Sequence, residues 1–100
     1  MVEITLPRLV GTRDAARELV EDAFRRAETS NEERIRLFAR AVLSAAPSFV
    51  DELVASLARH GVSEIDVFGD SEDLLSKLDD AANRQEGSVR IVSGSRLTNA

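Results

Sequence analysis

Three segments of this chain space their apolar residues three and four apart, and short runs of β-forming residues flank each of them. In RDAARELVEDAFRRA, residues 13–27, Ala16, Leu19, Val20, Ala23 and Phe24 form one buried stripe, with Glu18, Glu21, Arg25 and Arg26 largely opposite. Phe49, Val50, Leu53, Val54 and Leu57 repeat the pattern after Pro47, and Leu74, Leu75, Leu78 and Ala82 form the third stripe. Before the first helix, Val2, Ile4 and Leu6 alternate with Glu3 and Thr5 and stop at Pro7, as an edge strand would. Residues 35–43, IRLFARAVL, begin with alternation and become continuously apolar apart from Arg40, the pattern of a strand entering a covered sheet. The other reading there is a helix; we prefer the strand, because Pro47 would otherwise fall inside one long helix. Ile65 and Val67 with Phe68 mark a third strand, and Val89, Ile91 and Val92 a fourth.

The order β-α-β-α-β-α-β with short linkers defines an α/β fold: about four strands alternating with three helices packed on the sheet through right-handed crossovers. Thr12 is the expected cap of the first helix, which ends near Glu28. His60 and Gly61 close the second; Asp70 or Ser71 caps the third, and Gly87 ends it. At 100 residues the chain supports one core, so residues 1–93 read as a single domain and 94–100 as a polar tail.

Several function classes drop out. The formal charge is −5, from 18 acidic and 13 basic residues with no basic stripe, which argues against nucleic acid. No stretch approaches the roughly 20 apolar residues of a membrane helix, and the start lacks a signal peptide, so the expected location is cytoplasmic. Without cysteine there is no thiolate chemistry. The single histidine, His60, lies about three helical turns from Ser48, so the pair makes no catalytic dyad. Asp51 with Glu52, and Glu72 with Asp73, are adjacent and do not share a helix face, so no metal site is expected. The glycines at 11, 61, 69, 87 and 94 begin no nucleotide-binding motif, so no cofactor and no catalytic residue are expected.

What remains is AAPSFVDELV, residues 45–54. Ser48 at the start of a helix is an expected cap, its hydroxyl accepting from an N–H two or three residues on, worth about 1 kcal/mol. The same position favours a phosphate, because a helix N-terminus presents unpaired donors and partial positive charge. Asp51 and Glu52, taken to lie in that turn, complement the dipole and would repel a phosphate.

Ser-Phe-x-Asp-Glu-Leu opening an amphipathic helix after a strand and short loop resembles the STAS-like domains, small relatives of bacterial anti-sigma-factor antagonists. The residues are Ser48, Phe49, Asp51, Glu52 and Leu53, with Val42 in the preceding strand, and GTRDAAREL at 11–19 is similar to that family's glycine-to-helix entry. The likeness runs from about Leu6 to Asn83. It implies a non-enzymatic regulatory module with no cofactor, docking a protein partner through Pro47, Ser48, Phe49, Asp51 and Glu52. It also implies that the partner is an ATPase-type anti-sigma kinase and that Ser48 is the phosphoacceptor. The antagonists' Asp-Ser-Ser-Gly pattern is absent: Ala46 and Pro47 precede the serine, Phe49 follows it, and Phe38 stands where the STAS-like relatives tend to carry aspartate. Docking is therefore better supported than switching by phosphate. Two other readings stay open: a small-ligand or nucleotide-sensing domain using the helix starts at Ser48 and Ser71, and a homo-oligomer pairing through the edge strand at 2–6.

Overall fold

The computed structural model describes residues 2–29, 31–42, 44–69, 72–85 and 88–93, and its elements follow the alternation. They run β1 (Val2–Thr5), β2 (Leu9–Val10), α1 (Arg13–Arg26), β3 (Arg34–Phe38), β4 (Ser44–Ala45), α2 (Pro47–Arg59), β5 (Glu64–Phe68), α3 (Glu72–Arg84) and β6 (Arg90–Ser93). Four strands form one parallel sheet in the order β1-β3-β5-β6, with β1 at an edge. The strands are laid down in chain order, so each helix crosses in the same direction and all three share one face. α1 packs on α2 and α2 on α3.

The core is the layer between sheet and helices. Ile4, Ile35, Leu37, Ile65 and Val67 point from the sheet into Val20, Phe24, Leu53, Leu57 and Leu78 of the helices, all at most 2% exposed. Burying each such side chain is worth about 1.5–3 kcal/mol, so this aliphatic layer outweighs any single polar contact in the molecule.

The expected strand at 35–43 is shorter than its apolar run suggests. The β3 ladder ends at Phe38, with one further bond from Ala39 N–H to the Phe68 carbonyl, and the chain then turns, Val42 N–H donating to the Ala39 carbonyl. Val42 thus lies beyond the strand, and Leu43 outside the described residues. The chain resumes as β4, which pairs in parallel with β2, an added two-stranded ladder that period-two reading cannot detect in two-residue segments. The caps expected at Asp70, Ser71 and Gly87, and the tail at 94–100, also lie outside the described residues.

Boundary chemistry fixes the helix ends. The Thr12 hydroxyl accepts from Ala15 N–H at 3.0 Å, as expected of an N-cap. α2 closes with Val62 N–H on the Leu57 carbonyl and Gly61 N–H on the Ala58 carbonyl, the paired bonds of a Schellman motif, with Gly61 at φ +81°. His60 caps that end and stacks on Phe24 with ring centroids 4.2 Å apart.

Gly69 carries a second constraint. Its φ is +72°, and a β-carbon there would come within 2.8–2.9 Å of the backbone and Cβ of Arg40, in the turn that shortens β3. The Gly69→Ala variant should therefore lose more than the ~1 kcal/mol of a left-handed alanine, with a melting temperature lower by roughly 8 °C or more for a domain of this size. Gly11→Ala, where a β-carbon meets open space, should leave it unchanged. Equal melting temperatures for the two variants would contradict this packing.

Candidate functional site

In a parallel sheet the helices begin above the carboxyl ends of the strands, the edge at which such folds hold their ligands. The start of α2 lies there, in the middle of the helix layer. β4 delivers the chain to Ala46, whose extended backbone (φ −71°, ψ 139°) makes it the N-cap, and Pro47 takes the first helical position. Alanine has no side-chain acceptor, and no side chain caps this helix. The first intrahelical bond runs from Val50 N–H to the Ala46 carbonyl at 3.2 Å. The N–H groups of Ser48 and Phe49 are thus left without an intrahelical acceptor.

Ser48 is therefore not the expected cap. It sits one residue inside the helix, past the position from which a hydroxyl can reach back to the free donors, and its side chain is half-buried. Pro47 beside it is exposed, whereas Phe49 is 0% exposed and belongs to the core.

The two acidic residues lie past the first turn, which contains none, and they diverge. Asp51 pairs with Arg84 of α3. Glu52 turns toward α1, where it is only 8% exposed. Its Oε2 accepts from Arg59 Nη2 at 2.7 Å and from Ser56 Oγ at 2.8 Å, and Arg17 and Arg13 approach the carboxylate at 3.6 and 3.9 Å. The hydrogen bond from Arg59, then that from Ser56, hold the Glu52 carboxyl below its ordinary pKa of 4.5, with the charges of Arg59 and Arg17 assisting and burial opposing. The five residues nominated from the sequence thus divide: Pro47 and Ser48 form the surface of the helix start, Phe49 anchors it, Asp51 ties it to α3 and Glu52 ties it to α1. The expected repulsion of a phosphate by Asp51 and Glu52 is weakened, because both carboxylates have cationic partners.

α3 supplies a residue that the sequence reading passed over. Lys77 Nζ donates to the Ala45 carbonyl at 2.8 Å and pairs with Asp73 at 3.0 Å, placing an ammonium beside the entry to α2. The available signal was that Lys77 is the only lysine in the chain.

His60, at the far end of α2, is about 18 Å from Ser48 by helix rise. Ser71, the second candidate anion site, lies outside the described residues. A groove of about 580 Å3 opens between α1 and the segment after β1 and is floored by Phe49; its charged lining is Glu18, Glu21, Asp22 and Arg25, an excess of carboxylate unsuited to a phosphate. Among the described residues no helix is long and apolar enough to cross a membrane. Compared with known protein families, with curated proteins and with solved structures, the chain matches none.

The pH dependence of the α1–α2 tie follows from the direction of the Glu52 shift. A carboxyl whose folded pKa is depressed contributes stability above its ordinary 4.5, and loses that contribution as pH falls through the lower folded value. At pH 7 Glu52→Gln should cost about 1 kcal/mol, since the arginines it leaves are half-exposed and can rehydrate. Chemical denaturation of both proteins between pH 7 and 3 should show the gap closing below 4.5; a gap that stays constant or widens in acid would contradict the assignment.

Proposed function

We propose that this chain is a non-enzymatic regulatory module, of the STAS-like kind its sequence resembles, which docks a protein partner through the start of α2. The observation that carries the reading is a helix start left chemically incomplete. Ala46 cannot cap, the donors of Ser48 and Phe49 have no intrahelical acceptor, and Pro47 faces solvent beside them. A buried helix end with those properties would be a defect, whereas an exposed one is a surface that a partner's carbonyls or carboxylates can complete.

Rigidity supports the same reading. Phe49 is locked in the core, Glu52 fastens α2 to α1, and Asp51 and Lys77 fasten its start to α3. A surface held from three sides loses little conformational freedom on binding, which favours affinity.

Control by phosphorylation of Ser48 is compatible with this setting. A phosphate there meets the positive end of α2, at an entry where Lys77 bonds the Ala45 carbonyl and pairs with Asp73, while Asp51 and Glu52 already have arginine partners. Two added charges on a surface that must be desolvated for docking would then block the partner while leaving the fold intact. By the resemblance, the partner is an ATPase-type kinase.

Affinity capture from the native lysate with wild-type, Ser48→Ala and Ser48→Asp baits, read by mass spectrometry, tests this. The expected result is one ATPase-type protein held by wild type and Ser48→Ala and reduced about tenfold or more on Ser48→Asp, the size of effect a desolvated like charge produces. Retention by all three baits, or by none, would count against it.

A further inference from the structure

All three helices occupy one face of the sheet, and among the described residues no helix lies over the other face. By alternation it carries Glu3 and Thr5 of β1, Arg34, Arg36 and Phe38 of β3, Glu64, Asp66 and Phe68 of β5, and Arg90 and Val92 of β6. This surface is neither purely polar nor idle. Phe38 and Phe68 stack side by side with centroids 5.5 Å apart, both half-buried. Glu64 is gripped by Arg34 and Arg90 at 2.6 Å each, and Arg36 leans toward Glu3 at 3.5 Å.

Asp66 is the exception. It is 6% exposed in the middle strand pair, and its Oδ1 is buried without a hydrogen-bond partner. An unsatisfied buried carboxylate oxygen keeps its desolvation penalty uncompensated, which a cation delivered from outside the chain would remove.

The register of the sheet says which cation. Arg34, Arg36 and Phe38 stand level with Glu64, Asp66 and Phe68 on the neighbouring strand. A two-fold axis running along the strands, between β3 and β5 and above the open face, preserves height along the strands while exchanging β3 with β5. One rotation therefore sets Arg36 of each copy over Asp66 of the other, Arg34 over Glu64, and Phe38 over Phe68. Complementarity at every level along the central pair is what an isologous interface requires. The face carries three arginines against three carboxylates, so it is also balanced in charge.

We propose that two copies of this chain pack open face against open face about that axis, with Arg36 of each supplying the missing partner of Asp66 in the other. This is distinct from pairing through the β1 edge and leaves the start of α2 free. Aligned sheets pack about 10 Å apart at roughly −30°, so contact is best near the axis, where these pairs lie. Four strands about 4.8 Å apart and about 16 Å long offer roughly 300 Å2 of projected face, well short of the ~800 Å2 per partner of a standard interface. The dimer is accordingly weak.

Sedimentation equilibrium from roughly 10 µM to 1 mM, the range in which a contact this small is read, tests it. Wild type should dimerise with rising concentration. Asp66→Arg and Arg36→Asp should each weaken association about tenfold or more, by setting like charges together across the axis. Mixing the two single variants should restore it, because the mixed pair has one native and one reversed contact. Circular dichroism establishes that each variant is folded, and Asp66→Asn, nearly isosteric, stands in for any that is not and should also weaken association. A wild type monomeric at every concentration, variants that associate as wild type does, or a mixture no better than its components would each overturn the proposal.

Discussion

The consistent direction of its crossovers governs this molecule. Four parallel strands added in chain order, each joined to the next by one helix, must place every helix on the same side of the sheet. From that follow a single aliphatic layer that stabilises the domain, a central helix flanked on both sides, and a sheet face that none of these three helices covers. Polar contacts adjust this frame. The Glu52 cluster sets how α1 meets α2, and the pairs from Asp51 and Lys77 set how α3 meets the start of α2, but none replaces the packing of Leu37, Leu53 and Val67.

α2 is where structure and the proposed function meet. Its core-facing residues are fully excluded from water, yet its first turn is open, and the amino acids that produce the opening are ordinary ones: an alanine that cannot cap and a proline that offers no donor. A serine, aspartate or asparagine at residue 46 would have supplied the missing side-chain acceptor. The cap left unmade coincides with an exposed proline and a half-buried serine, at the edge of the sheet where α/β folds hold their ligands.

Much of this was legible in the sequence because the helical stripes are long and each carries punctuation. Thr12 and Gly61 act at α1 and α2 as expected of a cap and a left-handed terminator. The turn after Phe38 was not legible, because Ala39 and Val42 continue an apolar run, while the close passage of Gly69 against Arg40 at that turn is a contact between segments distant in sequence. The short strands β2 and β4 escape because two residues show no period. At the candidate site, adjacency in sequence suggested that Asp51 and Glu52 act together, whereas neighbouring residues on a helix diverge by about 100°, and here they serve different helices. Asp66 carried a signal that was passed over, an ionisable residue between Ile65 and Val67 in a central strand.

The central claim is that the start of α2 is an open, anion-tolerant surface whose nearby carboxylates are already paired. The most direct measurement is the melting temperature of the chain with phosphoserine installed at residue 48, compared with the unmodified chain at low and high salt. The account predicts that phosphate leaves the fold intact and raises the melting temperature by a few degrees, as expected for about 0.5–1 kcal/mol of interaction with the helix terminus, with the gain shrinking as salt is added. A lowered melting temperature that recovers with salt would mean that Asp51 and Glu52 repel the phosphate, and would contradict it.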